Sequence, residues 1–225
     1  EETGNYNKEE QTFTVKVADK NTATVTITGL PDTVTYGQEF ILAASQTGDT
    51  GTSGKWSWDC NQEYFKLVES NANTKTITLQ AIKAGTPSKG ITATYESGTH
   101  KGSATVNAVV EKKEVTVSGI TAENKEYDGG TTATVNASGA TSLTITATGT
   151  FADADVGNGK AVNLTLGALS GASAGNYKLA ASGNQTTATA NITAKNVSIS
   201  AATVNDKDYD GNANATVPSV TITGV

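Results

Sequence analysis

The residues able to do chemistry in this chain are few, and most stand in or beside turns. His100 is the sole histidine, in a predicted turn, Gly98-Thr-His-Lys-Gly102. Any Ser-His-Asp or Cys-His site must recruit it, while Cys60, the sole cysteine, falls on the inward face of a predicted strand. Zinc needs several thiolate or imidazole ligands, which one His and one Cys cannot provide. With 22 acidic residues, a glycosidase-style carboxylate pair is available by count, but no insertion loop accompanies it to form a pocket. The expectation is a non-catalytic chain without metal or cofactor.

Three further groups invite a functional reading. Tyr127-Asp128-Gly129 could offer Asp128 as a ligand or base. A structural role is favoured: Gly129 takes a positive φ, Asp128 binds turn amides, and Tyr127 covers the core edge. Asp153-Ala-Asp155-Val-Gly-Asn-Gly resembles the start of a calcium loop, yet Gly157 and Leu164 stand where an EF-hand needs an oxygen ligand and a bidentate Glu. A looser calcium site and a solvated turn both stay open there, the turn favoured. Trp56 and Trp58 could stack on sugar rings, but they share parity with Cys60, and core packing is favoured for at least one of them, since an inward Trp on a strand is the usual core anchor of such sandwiches. Asn-x-Ser/Thr triplets at Asn136, Asn163 and Asn191 follow from strand alternation alone, and a Lys–Asn isopeptide crosslink needs a buried triad invisible in sequence.

The turns that hold these groups recur. Lys125-Glu-Tyr-Asp-Gly129 returns as Lys207-Asp-Tyr-Asp-Gly211, so Tyr209 follows Tyr127 by 82 residues (209 − 127). The flanks repeat in register, Ala133-Thr-Val against Ala215-Thr-Val, and a fixed period marks a tandem module. A chain of 225 residues holds two compact domains of roughly 100 each. Met and Arg are absent, and Thr and Val, branched at Cβ, favour extended chain. A net charge of −6 repels nucleic acid and anionic lipid. The apolar runs are too short for a membrane span.

Strand after strand alternates apolar with Thr, Asn or Lys positions. Phe40, Leu42 and Ala44 share a face, as do Ile77, Leu79 and Ala81, and Ile91, Ala93 and Tyr95. Further on, Ala133, Val135 and Ala137 form such a set, then Leu143, Ile145 and Ala147, Val162, Leu164 and Leu166, Tyr177, Leu179 and Ala181, and Ala188, Ala190 and Ile192. Gly and Asn clusters, among them Gly157-Asn-Gly159 and Gly183-Asn184, punctuate these runs. The fold class is therefore all-β: tandem antiparallel immunoglobulin-like β-sandwich modules, with partial modules at both chain ends. Residues 1–19 read as the tail of a preceding module, 20–112 as one sandwich, 113–194 as a second module and 195–225 as the head of a third. Tyr177 either forms a tyrosine corner or simply opens a strand as a buried tyrosine. Residues 195–225 hold too few apolar groups for a core of their own and are expected to pack on the preceding module or a neighbouring molecule.

Residues 113–194 resemble the YDG domain of bacterial cell-surface proteins. The match lies in Lys-x-Tyr-Asp-Gly, Gly149-Thr-Phe with Val156-Gly157 and Lys160, Leu169-Ser-Gly-Ala, Gly175-Asn-Tyr-Lys-Leu and Thr189-Ala-Asn-Ile-Thr-Ala-Lys. Residues 195–225 match its opening third. Residues 20–112 are similar to bacterial immunoglobulin-like modules of the group 2 type through Val34-Thr-Tyr-Gly, the Trp strand and Ala84-Gly with Ile91-Thr-Ala-Thr. The resemblance implies a repeat segment of a large secreted or surface-anchored bacterial protein, with Tyr127, Asp128, Gly129, Tyr177, Tyr209, Asp210 and Gly211 as structural motif residues. The expected role is a structural or adhesive stalk whose partners are its neighbouring modules. The alternatives are a module binding an extracellular glycan or host protein, or an accessory region of a secreted enzyme.

Overall fold

The computed structural model describes residues 19–51, 54–69, 74–137 and 143–224. The expected tail strand within residues 1–19 lies, but for Asp19, outside them. The chain divides into two compact units, one ending at Glu111 and the other beginning at Lys112.

In the first unit the strands are β1 Asn21–Thr22, β2 Thr24–Thr28, β3 Val34–Thr35, β4 Glu39–Thr47, β5 Lys55–Asp59, β6 Phe65–Glu69, β7 Thr76–Ala81, β8 Ile91–Glu96, β9 His100–Val106 and β10 Val110–Glu111. They make two four-stranded sheets, ordered β2-β4-β7-β6 and β1-β9-β8-β5. Strand alternation sends Phe40, Leu42, Phe65, Ile77, Leu79 and Ile91 into one buried cluster between them. Trp56, Ala93 and Tyr95 anchor a second cluster, with the two rings 5.1 Å apart. This is the layered arrangement of an immunoglobulin-type sandwich. Two short pairings run parallel, β1 with β9 and β3 with β10. Side-chain alternation cannot reveal that direction, because it is the same either way.

In the second unit come β11 Lys113–Val115, β12 Thr121–Ala122, β13 Lys125–Glu126, β14 Thr132–Ala133, β15 Val135–Asn136, β16 Thr144–Phe151, β17 Gly157–Ser170, β18 Tyr177–Leu179 and β19 Thr187–Thr193. Five of them form one sheet, β13-β19-β17-β16-β14, flanked by the pairs β12-β15 and β11-β18. The core is small: Ala133, Phe151, Val162, Ala190 and Ile192, with Ala122, Val135, Leu164 and Ala188 packed around it. The pairings β13 with β19 and β11 with β18 are parallel. Gly157-Asn-Gly159, expected as a turn, instead opens the 14-residue β17, where the register shifts between Gly157 and Lys160. A glycine-rich bulge bends a strand without ending it. Ala181, expected on an inward face, is exposed in the bend after β18.

Beyond β19, β20 Ser198–Thr203 and β21 Ser219–Thr223 form an antiparallel hairpin. Every residue from 193 to 224 is exposed. The expected packing against the preceding module thus buries none of these residues; one hairpin has too little apolar surface to form a core of its own. Among the described residues no helix is long and apolar enough to cross a membrane.

Candidate functional site

The Lys-x-Tyr-Asp-Gly segment closes on itself. Gly129 has φ 77°, a conformation open to glycine at little cost, and it turns the chain so that Asp128 Oδ1 accepts the Gly130 amide at 2.8 Å. Lys125 Nζ reaches the same carboxylate at 2.5 Å and donates to the Gly130 and Thr132 carbonyls at 3.0 and 3.3 Å. Its ammonium also lies 6.0 Å from the centre of the Phe151 ring, a cation–π contact that ties the turn to the core. The Lys125 hydrogen bond, with the Gly130 amide second, holds the Asp128 carboxyl below the usual carboxylate range. Asp128 is therefore a turn clamp. Tyr127 contributes its backbone N–H to the Thr193 carbonyl at 2.9 Å, and the residue is 42% exposed.

The second copy builds the same turn with nothing packed on it. Gly211 has φ 82°, Asp210 Oδ1 accepts the Asn212 amide at 3.1 Å, and Lys207 Nζ meets Asp210 at 2.6 Å. The Lys207 hydrogen bond likewise lowers the Asp210 pKa, with the Asn212 amide second. Even the strand bond behind the turn repeats, Glu123 N–H to Thr134 O at 2.9 Å and Asn205 N–H to Thr216 O at 3.1 Å. What differs is cover. Lys125 is 16% exposed and Lys207 35%, and Tyr209 is 98% exposed.

A second lysine–aspartate clamp occupies the Asp153-x-Asp155 loop. Lys160 Nζ bonds Asp153 Oδ1, which also accepts the Asp155 amide at 2.8 Å. Lys160 first, and that amide second, depress the Asp153 pKa. The carboxylate that a cation would use is thus neutralised by an ammonium of the same unit. Among the described residues no three His, Cys, Asp or Glu side chains gather as a metal set. Tyr177 opens β18 after the single turn Ala174–Asn176, with its N–H on Ala174 O. It pairs with Lys113 outside the five-stranded sheet and is half-buried.

His100 proves to have company that the sequence did not reveal. Asp49, 6% exposed at its side chain, lies 3.5 Å from His100 Nδ1 and accepts Ser97 Oγ–H at 2.6 Å and Tyr95 O–H at 2.9 Å. Ser, His and Asp are all present, but wired differently from a hydrolase. The Ser97 hydroxyl gives its proton to the carboxylate and accepts the His100 amide at 3.0 Å, whereas a nucleophile must hand its proton to imidazole. Ser97, with the Gly51 amide second, lowers the Asp49 pKa; burial and the Asp49 bond raise that of Tyr95. The cluster staples the loop after β4 to the β8–β9 turn. Its signal in sequence was weak, since Asp49 lies 51 residues (100 − 49) from His100.

The tryptophans part company. Trp56 is 6% exposed in the core. Trp58 is half-buried, its indole N–H donating to Thr74 O at 3.1 Å, and it lines a groove of about 390 Å³ with Asp59, Cys60, Gln62, Lys66 and Leu67 among others. That groove lies between β5 and β6, edge strands of the two sheets. Burial pushes the Cys60 thiol up, aided by Asp59, which makes it a poor nucleophile. Three side-chain amides also escaped the sequence reading. Asn124, Asn184 and Gln185 join residues 113–127 to the segment that follows β18.

Residues 111–188 match the family model of the YDG domain. No curated protein matches the chain in sequence. Among solved structures, the three N-terminal domains of the bacteriophage RB49 Highly Immunogenic Outer Capsid protein (Hoc) are similar at 15% identity. That likeness covers 91% of this chain and 70% of the other, with a TM-score of 0.29.

Proposed function

We propose that this chain is a non-catalytic spacer segment of a large bacterial cell-surface or secreted repeat protein, acting as a structural or adhesive stalk. The observation that carries the reading is the Lys-Asp-Gly turn, built twice with the same hydrogen bonds, 82 residues apart (209 − 127). Groups that could have done chemistry are used instead to close loops: Asp128 by Lys125, Asp153 by Lys160, Asp49 by Ser97 and Tyr95. The YDG match over residues 111–188 supports the same reading, as does the resemblance of residues 20–112 to group 2 immunoglobulin-like modules. Its partners would be the neighbouring modules of its own chain. Antibodies raised against the chain should label intact source cells or their medium. Labelling only after lysis overturns the surface assignment.

The groove beside Trp58 favours a second reading, a module that binds an extracellular glycan or host protein. An indole flanked by Asp59, Gln62 and Lys66 combines an apolar platform with hydrogen-bonding groups. A glycan array probed with the full chain tests it. Saturable binding that is lost in Gln62→Ala and Lys66→Ala supports this reading, and a blank array removes it.

A further inference from the structure

We propose that each unit is closed by a parallel latch in which described strands from its N-terminal part pair with strands from its C-terminal part, β1 with β9 and β3 with β10 in one, β11 with β18 and β13 with β19 in the other, and which carries tension along the chain in shear. The idea deepens the spacer reading and rests on it. In a parallel pair the chain arrives at one end and departs from the other, so tension slides the two strands lengthwise and loads their cross-links together. In an antiparallel hairpin arrival and departure share one end, and the bonds open one after another.

Among the described residues up to β19, both units have the first arrangement. In the first, Asn21 and Thr22 pair with His100 and Lys101, and Val34 and Thr35 with Val110 and Glu111. Asn21, Ala23 and Tyr36 extend these by donating to Thr99, Lys101 and Glu111 carbonyls at 2.8, 2.9 and 2.9 Å. In the second, the latch begins at β11–β18 and ends at β13–β19, with both registers parallel. Between them one backbone bond is joined by bonds from side-chain amides. Gln185 N–H donates to Val117 O at 2.8 Å, while Asn184 Oδ1 accepts Val117 N–H at 3.0 Å.

Gln185 is the central rung. Its Oε1 accepts Ile120 N–H at 2.8 Å and its Nε2 donates to Ile120 O at 2.7 Å, so one side chain satisfies both backbone groups as a strand would. Asn124 Oδ1 then accepts Asn191 N–H at 2.7 Å, and Tyr127 N–H closes on Thr193 O at 2.9 Å. Residues 113–127 are thereby stitched to 177–193 along their length. The β20–β21 hairpin is antiparallel and supplies an unzipping reference within the same molecule.

Stretching the single full chain by its two ends tests the latch. Each unit should give one event releasing roughly 300 Å, from 80 to 90 residues at about 3.3–3.6 Å each, at several-fold higher force than the hairpin. Gln185→Ala should lower the force of the second unit by a larger fraction than its urea midpoint, leaving the first unit's event unchanged. Gln185→Glu, which keeps the acceptor and loses the donor, should fall between and serves if the alanine variant does not fold. Unit forces no higher than the hairpin's, or a midpoint shift without a matching loss of force, overturn the latch. Weak units on a chain that still labels intact cells sink the latch alone. Strong units on a chain labelled only after lysis sink the spacer reading instead.

Discussion

Phe151 is the largest side chain in the core cluster of the second unit. It is the only aromatic among five buried core residues, and the other four are two alanines, a valine and an isoleucine. Its backbone pairs with Val162, its N–H donates to Thr131 O at 2.8 Å, and its ring lies beneath Lys125. Truncation to alanine removes the largest side chain from a site whose neighbours are fixed in strands, so the cavity collapses little. The expected cost is about 3–5 kcal/mol. A unit of roughly 80 residues has a total stability of about 4–12 kcal/mol, so Phe151→Ala should bring it close to unfolding. Phe151→Leu keeps most of the apolar volume, loses the cation–π contact, and should cost less than about 1.5 kcal/mol. Native-state hydrogen exchange at the β17 and β19 amides measures both. Tryptophan fluorescence follows the first unit separately, since Trp56 and Trp58 both lie there. A loss below about 1 kcal/mol for the alanine variant would refute the claim that these five residues are the working core.

Three other outcomes are expected. Asp49 has a folded pKa below its unfolded value, so its stabilisation is present above the ordinary carboxylate pKa and fades as pH falls through the folded value. The gap in urea midpoint between the native chain and Asp49→Asn should therefore narrow from pH 7 to pH 3, and a constant gap contradicts the linkage. Gly102→Ala would set a Cβ 1.9 Å from the Ala23 carbonyl oxygen, which is backbone and cannot swing away. It should cost about 1–3 kcal/mol and lower the melting temperature of the first unit by about 4 °C or more; an unchanged melt excludes that close approach. Amides of β20 and β21, exposed throughout, should exchange faster than those of β17, and equal protection would mean the hairpin is covered in solution.

The legible parts of this fold are those written in nearest neighbours. The inward sets Phe40-Leu42-Ala44, Ile77-Leu79-Ala81 and Ile91-Ala93-Tyr95 are all buried, because a side-chain period of two belongs to the strand itself. The Tyr-Asp-Gly turn was equally legible and forms even where nothing covers it. Gly157-Asn-Gly159 reads as a turn in sequence yet forms a bulge at the start of β17, because a glycine cluster serves both and the neighbouring strand chooses between them. The polar cluster at Asp49 was invisible for a different cause: its members come from one loop and a distant turn, with no spacing to betray them.

Alternation and turn residues alone fix that this protein is made of strands, which face of the core strands is apolar, and where the repeated turn closes. Only the tertiary structure decided which strands are neighbours, that the terminal pairings run parallel, and that Gln185 stands in for a missing length of strand. The division has one physical reason. Alternation and turn chemistry act between residues a few positions apart, whereas pairing direction is set between strands far apart in the chain, as Asn21 with His100 and Lys125 with Ile192.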